Sequence, residues 1–367
     1  MKKIFNLLIL IGILYSCQRE EIQVYEITDP DFNLMPAKAE ILNFPSGATV
    51  KKVGNDYIWM GDILLSPSQL EEVKTKGFIS GTLQTREKKE PNTSVHPLTN
   101  MPLNPKLDPN ASVGIGGYYP AQTWAMVRYV YSPNLTQERK EIIKEAIRHW
   151  EANTNVRFYN ATNQPTRDPQ YGFNYPYIEF VNGTVNSSSI GLIGGRQVIN
   201  LAQFQYSRAA IHEIGHAIGL FHEQSAGNRD NYMNVNFSNI KPEMRYNFDK
   251  VRRNYYQIGL IDFNSIMMYG SYITDPAIVY NPNIPVLTKK DGSTWLAASV
   301  LSPTDKMWAN TFYIPYIARS DIYRELADVV YKPDNTIMTP QERLAFQARL
   351  NNGNPYPPAG GRIPNTP

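Results

Sequence analysis

Apolar and polar positions fall into stretches of different period along this 367-residue chain. Between about 38 and 83, short β-like runs (Ala48 to Lys51, Tyr57 to Trp59, Ile63 to Leu65) alternate with turn signals. Ser66-Pro67-Ser68-Gln69 then predicts a helix start, with a serine cap, proline at the first helical position and glutamine at the third. From Arg86 to Pro120 proline, asparagine, glycine and lysine replace the apolar periodicity, a linker composition open to proteases. A second globular pattern begins at Trp124. Met126 to Tyr131 predicts a strand, and Thr136 to Asn153 a helix that buries Ile142, Ile143, Ala146, Ile147 and Trp150 on one face. Tyr177 to Val181 predicts another strand, and Gly191 to Leu201 a strand interrupted at Gly194-Gly195. Ile211, Ile214, Ile218 and Phe221 form the stripe of a further helix, with Ser207 as its expected cap. Ser302-Pro303-Thr304-Asp305 and Thr339-Pro340-Gln341-Glu342 mark later helix starts, and helical segments are expected near 319–330 and 339–350. Asn351 to Pro367 reads as a tail without fixed structure.

Composition refines the picture at one end only. Hydrophobic residues at 42% and charged residues at 19% describe an ordinary globular chain, and a formal charge of +3 is too small to argue for nucleic acid as a partner. Lys2 and Lys3 precede an apolar run from Ile4 to Tyr15, short for a membrane span but suited to a signal peptide over 1–16. Leu14-Tyr15-Ser16-Cys17 resembles a bacterial lipobox, which implies cleavage before Cys17 and lipid on its sulfur. The chain is therefore expected to be an exported lipoprotein of the bacterial outer membrane or cell surface, with 17–37 as tether. Cys17 is the single cysteine, so no disulfide can form within the chain.

Candidate chemistry concentrates between His212 and Glu223. His212 and His216 are four apart, share one face of a helix and can grip one metal ion. Glu213 sits one residue round, where it can reach a water without ligating the metal. Gly219 can take the left-handed conformation that ends a helix, and His222 then arrives as a third ligand from outside it. Three protein ligands leave one position open, the pattern of a catalytic zinc site. Three of the five histidines fall in these eleven residues, so chance is a poor account of the spacing.

The same run resembles the metzincin zinc endopeptidases, and further details are those of the astacin family. Glu223 follows the third histidine, Gln224-Ser225 and Arg229-Asp230-Asn231-Tyr232 continue the motif, and Ser265-Ile266-Met267-Met268-Tyr269 is similar to the family's Met-turn. Gly191, Gly194-Gly195 and Gln197 match its Gly-rich segment, and Leu301-Ser302 with Asp305, Asn310 and Tyr313 its closing helix. The resemblance spans Trp124 to Tyr313. It implies an α+β fold class: a two-lobed metzincin-like catalytic domain over 111–313, with a twisted mixed sheet and a zinc-binding active-site helix at the floor of a cleft. It implies a zinc-dependent endopeptidase acting on protein or peptide substrates, with one zinc on His212, His216 and His222 and Glu213 as general base. Tyr269 is implied to be a fifth ligand or oxyanion partner, and Met267 an apolar floor under the imidazoles. Glu223 is implied to lie near a buried amino terminus made by processing.

Upstream, Trp59-Met60-Gly61-Asp62-Ile63 resembles the FxGDI segment of astacin propeptides, with Trp in place of Phe. It implies that 38–110 are a small propeptide and linker, that Asp62 takes the open metal position in a latent precursor, and that processing cuts within 86–120. Residues 314–367 form a C-terminal extension without recognisable chemistry. Two departures stand out: Met268 replaces the histidine usual in the Met-turn, and the family's disulfides are missing. Arg229, Arg245, Arg252 and Arg253 are either a basic pocket for acidic substrate residues or solvated surface charge. The alternative function is a surface lipoprotein that binds host protein or glycan on a metzincin scaffold; retention of Glu213 weighs against it.

Overall fold

The computed structural model describes residues 39–79, 112–115, 124–202, 206–252 and 255–366. Cys17, the signal and tether, and most of the 86–120 linker lie outside the described residues. The first apolar pattern becomes four short strands, β1 (Glu40–Asn43), β2 (Thr49–Val53), β3 (Asp56–Trp59) and β4 (Ile63–Leu64), followed by α1 (Pro67–Lys76). The predicted capping box is present: Ser66 Oγ accepts from Gln69 N, and Gln69 Oε1 accepts from Ser66 N. The second pattern gives β5 (Ser112–Ile115), β6 (Val127–Tyr131), α2 (Gln137–Asn153), β7 (Phe158–Asn160), β8 (Tyr177–Asn182), β9 (Ser187–Ser189), β10 (Arg196–Leu201) and α3 (Ser207–Ile218). Downstream lie β11 (Met233–Val235), β12 (Tyr255–Ile258), β13 (Leu287–Lys289), α4 (Pro303–Phe312) and α5 (Pro340–Leu350).

Nine strands form one mixed sheet in the order β1-β2-β3-β4-β9-β10-β8-β6-β7, giving an α+β architecture. Its join is between β4 and β9, which run parallel with Ile63 opposite Ser188 and Leu64 opposite Ser189. Ser188 N also donates to Asp62 O at 3.0 Å. The amino-terminal strands thus extend the sheet rather than standing apart from it.

Two apolar cores flank this sheet and its helices. In the first, α2 and α3 cover β6, β8 and β10, burying Ile147, Trp150, Phe180, Ile199 and Ile214. Full burial of side chains of this size contributes about 1.5–3 kcal/mol each. The indole of Trp150 donates to Ile211 O at 3.0 Å and that of Trp124 to Ala217 O at 3.0 Å, which fixes the height of α3. The second core joins Val50, Trp59, Met60 and Ile63 to Phe221, Met244, Phe248, Met268 and Tyr269. The chain passes from the first core to the second between Leu220 and Phe221, at the end of α3.

The structure departs from the sequence expectations at four places. Residues 319–330 are irregular, not helical. Asp321 Oδ1 accepts from its own turn at Tyr323 N and from Arg319, and such local side-chain bonds compete with helix. Bridges Tyr316↔Leu326 and Arg319↔Arg362 replace the helical ladder. The 351–366 tail is ordered against the domain: Ile363 N donates to Ala318 O at 2.9 Å, and the Asn365 amide donates to Phe158 O at 2.6 Å and accepts from Asn160 N at 2.9 Å. Ser207 is the first residue of α3, not its cap, and Tyr206 at the cap makes no side-chain bond. The strand expected from Gly191 begins only at Arg196, because Gly191, Gly194 and Gly195 turn the chain at φ 65°, 83° and 64°. Among the described residues no helix is long and apolar enough to cross a membrane.

Candidate metal and catalytic centre

The end of α3 sets the geometry of the centre. Gly219 closes the helix at φ 118°, and a Cβ there would stand 2.9 Å from the Trp308 ring. Leu220 N donates back to Gly215 O, and the reversed chain delivers His222 beside His212 and His216. His222 Nε2 lies 3.2 Å from the Nε2 of each of the other two, and all three rings are fully buried. His212 Nδ1 faces Ile266 O at 2.9 Å and His216 Nδ1 faces Leu220 O at 2.7 Å. A carbonyl only accepts, so both Nδ1 atoms carry the hydrogen and both Nε2 atoms present bare lone pairs. Burial pushes His216 down to about 4, which keeps that ring neutral at pH 7. Converging lone pairs repel unless a cation sits among them, so these residues fit a zinc ion of the catalytic kind.

Asp62 completes the group. Its Oδ2 lies 3.1 Å from His222 Nε2 and 3.5 Å from His212 Nε2, and its Oδ1 lies 3.3 Å from His216 Nε2. The four ligand atoms fall within 4.8 Å of one another and could hold one metal ion. Burial alone would raise the Asp62 carboxyl, but the surrounding cluster of His222, His216 and His212 overcomes it and holds the group well below the usual carboxylate range. Reaching this position distorts the backbone: Met60 has φ 55° and Gly61 φ 108°. A left-handed non-glycine residue costs about 1–2 kcal/mol, offset by sheet pairing on both sides of the turn and by full burial of Met60.

The other expected site residues surround this group. Glu213 is fully buried next to His212 on α3. The Tyr269 ring lies against His222, centroids 4.6 Å apart, and its backbone N donates to Gln224 Oε1 at 3.1 Å. Met267 Sδ lies 2.5 Å from where a Cβ on Gly215 would stand, so it presses directly on the helix between the two histidines. Met268 is buried in the second core, where an apolar side chain suits its neighbours better than a histidine. Glu223 is fully buried, and its Oε1 accepts from Asp262 N at 3.0 Å.

The three described arginines of this set each have their own hydrogen-bond partners. Arg229 is buried and donates to Gln224 O at 2.7 Å, Arg245 donates to Phe237 O, and Arg252 donates to Ser46 O and Gly47 O of the β1–β2 turn. Arg253 lies outside the described residues. Sequence reasoning missed the edge-on packing of Trp59 on Phe221, centroids 6.3 Å apart, and the contact between Gly61 and the Tyr269 hydroxyl. Only the Trp59-to-Ile63 motif hinted at either.

Known proteins share sequence with the part of the chain that holds this centre. A model of the astacin peptidase family matches residues 117–314. Blastula protease 10 of Paracentrotus lividus is 35% identical over 210 residues, covering 53% of this chain and 33% of that protein. Flavastacin of Elizabethkingia meningoseptica is 36% identical over 193 residues, covering 52% of this chain and 38% of that protein. The chain thus spans well under two thirds of the length of either relative. Among solved structures, High choriolytic enzyme 1, a hatching enzyme zinc-protease from Oryzias latipes, is similar at 26% identity and a TM-score of 0.46, covering 53% of this chain and 96% of that one.

Proposed function

The chain belongs to the astacin family of peptidases, and on that premise we propose that it is a zinc-dependent endopeptidase made as a latent precursor. The observation that carries the reading is the convergence of three imidazoles beside a buried carboxylate, Glu213, on the same helix as two of them. Zinc held by His212, His216 and His222 supplies a Lewis acid and lowers the pKa of a water there to about 7.

The chain's own residues do the rest. Glu213 takes the proton of the attacking water and passes it to the leaving amine, a role worth about 10²–10⁴-fold in rate. The Tyr269 phenol donates to the scissile carbonyl oxygen as it becomes anionic. Ile266 O and Leu220 O hold His212 and His216 in the tautomer that ligates. Met267 fixes the floor under them.

In the precursor, Asp62 takes the place that substrate needs. Its position beside the three Nε2 atoms supports this reading, as does anchoring of the flanking chain by β4 on β9. Residues 38–110 are then a propeptide and linker, and a cut within 86–120 releases the catalytic domain, 111–313, whose new terminus approaches Glu223. The lipid anchor on Cys17, an outer-membrane or cell-surface address and extracellular protein substrates belong to the same proposal. A protease assay on casein or gelatin, before and after processing and with and without a chelator, tests it: chelator-sensitive activity in the processed form alone is expected. Inertness of a zinc-loaded processed form favours the binding-protein alternative.

A further inference from the structure

The carboxylate of Asp305 does more than cap its helix. Asp305 is the third residue of α4, and Ser302 Oγ accepts from its backbone N while Asp305 Oδ2 accepts from Ser302 N at 2.9 Å, a capping box. A capping role ends there. The same carboxylate also accepts from Ser265 Oγ at 2.7 Å and from Ile266 N at 2.9 Å, and Ser265 Oγ in turn accepts from Met267 N at 3.0 Å. Asp305 therefore grips the residue whose carbonyl, Ile266 O, accepts from His212 Nδ1. Two neighbouring contacts run from α4 to the end of α3: Tyr313 OH donates to Ile218 O at 2.8 Å, and Trp308 fills the space against Gly219.

We propose that Asp305 is a positioning residue for the metal centre, setting the orientation and basicity of His212 through the backbone of Ile266. This rests on the reading of His212 as a zinc ligand. The chain is two hydrogen bonds long, Asp305 to Ile266 N and Ile266 O to His212, and the three residues in it are buried. The Asp305 bond to Ile266 N fixes where the turn lies, and a second route acts on the carbonyl itself. Ile266 O shares its amide with Met267 N, which donates to Ser265 Oγ, whose hydroxyl donates to Asp305. This relay polarises the amide and makes its carbonyl a stronger acceptor for Nδ1–H. Loss of either oxygen's grip lets the Ile266 carbonyl swing and the ring with it.

The test uses the full-length chain with zinc and, separately, cobalt(II). Asp305→Asn keeps shape but turns one acceptor oxygen into a donor. It is expected to weaken zinc binding about 10- to 100-fold in a chelator competition and to shift the visible absorption bands of bound cobalt. Asn310→Ala is the control, because Asn310 lies on the same helix and its Oδ1 accepts from Asn155 N without touching the turn. That variant is expected to lower the melting temperature yet leave zinc affinity and the cobalt spectrum unchanged. If Asp305→Asn fails to fold, Ser265→Ala removes one arm of the grip and is expected to weaken zinc binding several-fold. Wild-type affinity and spectrum in the folded Asp305 or Ser265 variant, or an equal loss in the Asn310 control, overturns the proposal. Wild-type zinc affinity in His212→Ala instead overturns the ligand assignment beneath it.

Discussion

The hydroxyl of Tyr269 lies 2.6 Å from the point where a Cβ on Gly61 would stand. Gly61 is at φ 108°, so both space and backbone demand glycine there. The residue proposed to serve the transition state and the residue before the carboxylate proposed to block the metal therefore fit one another only while Gly61 has no side chain. Gly61→Ala is expected to unseat Asp62 and give the uncleaved precursor measurable peptidase activity. The strain and clash together cost about 1–3 kcal/mol. An uncleaved variant as inert as the wild-type precursor would show that this contact does not govern latency.

Asp62→Ala removes the carboxylate and leaves the strands that carry it. Activity of the uncleaved chain is expected to rise, while the melting temperature falls as three facing imidazoles lose their anionic partner. Peptide hydrolysis by a precursor made resistant to processing in the 86–120 linker is the readout. No gain over the wild-type precursor counts against the switch.

Acid should destabilise the centre in a defined window. The imidazole of His216 titrates near 6.5 when exposed and near 4 in the fold, where burial opposes its charge. Between these values the unfolded chain binds the extra proton, so stability falls as pH drops through the window and this group adds no further loss below about 4. The full effect is on the order of 3 kcal/mol. Protonation also competes with zinc, in the same direction. Melting temperature and zinc content measured from pH 7 to 4 check this; a flat profile contradicts it.

The C-terminal extension is expected to be integral to the catalytic unit. Asn155 and Tyr331 exchange two hydrogen bonds, at 2.8 Å each, and Tyr331 OH donates to Ala152 O. Asn365 occupies outward-facing groups of β7, the last strand of the sheet, and so blunts an edge that would otherwise invite pairing. Ile314, Leu326, Val330 and Phe346 form a small core of their own. Removal of 314–367 is expected to lower the melting temperature of the processed enzyme by several degrees and to promote aggregation, as scanning fluorimetry and light scattering would register. An unchanged truncated enzyme would make the extension a separate module.

The centre was legible in sequence because its determinants are local. A four-residue spacing, a glycine stop and a histidine three residues on define the metal helix without knowledge of the rest. The Ser66, Ser302 and Thr339 helix starts were legible for the same reason. The join of β4 to β9 was not, since pairing Ile63 with Ser188 depends on register between distant segments. Nor was the order of the tail, whose Pro/Gly/Asn composition signals no periodic structure while its amides find partners on β7. Asp305 shows the intermediate case: its cap is written in four consecutive residues, its hold on Ile266 is not.

The central claim, a zinc-dependent peptidase with Glu213 as its base, meets its most direct test in Glu213→Gln. The processed variant should bind one zinc ion as the wild type does and lose about 10²–10⁴-fold in peptide hydrolysis. A variant that keeps its zinc and cleaves at the wild-type rate would contradict the account.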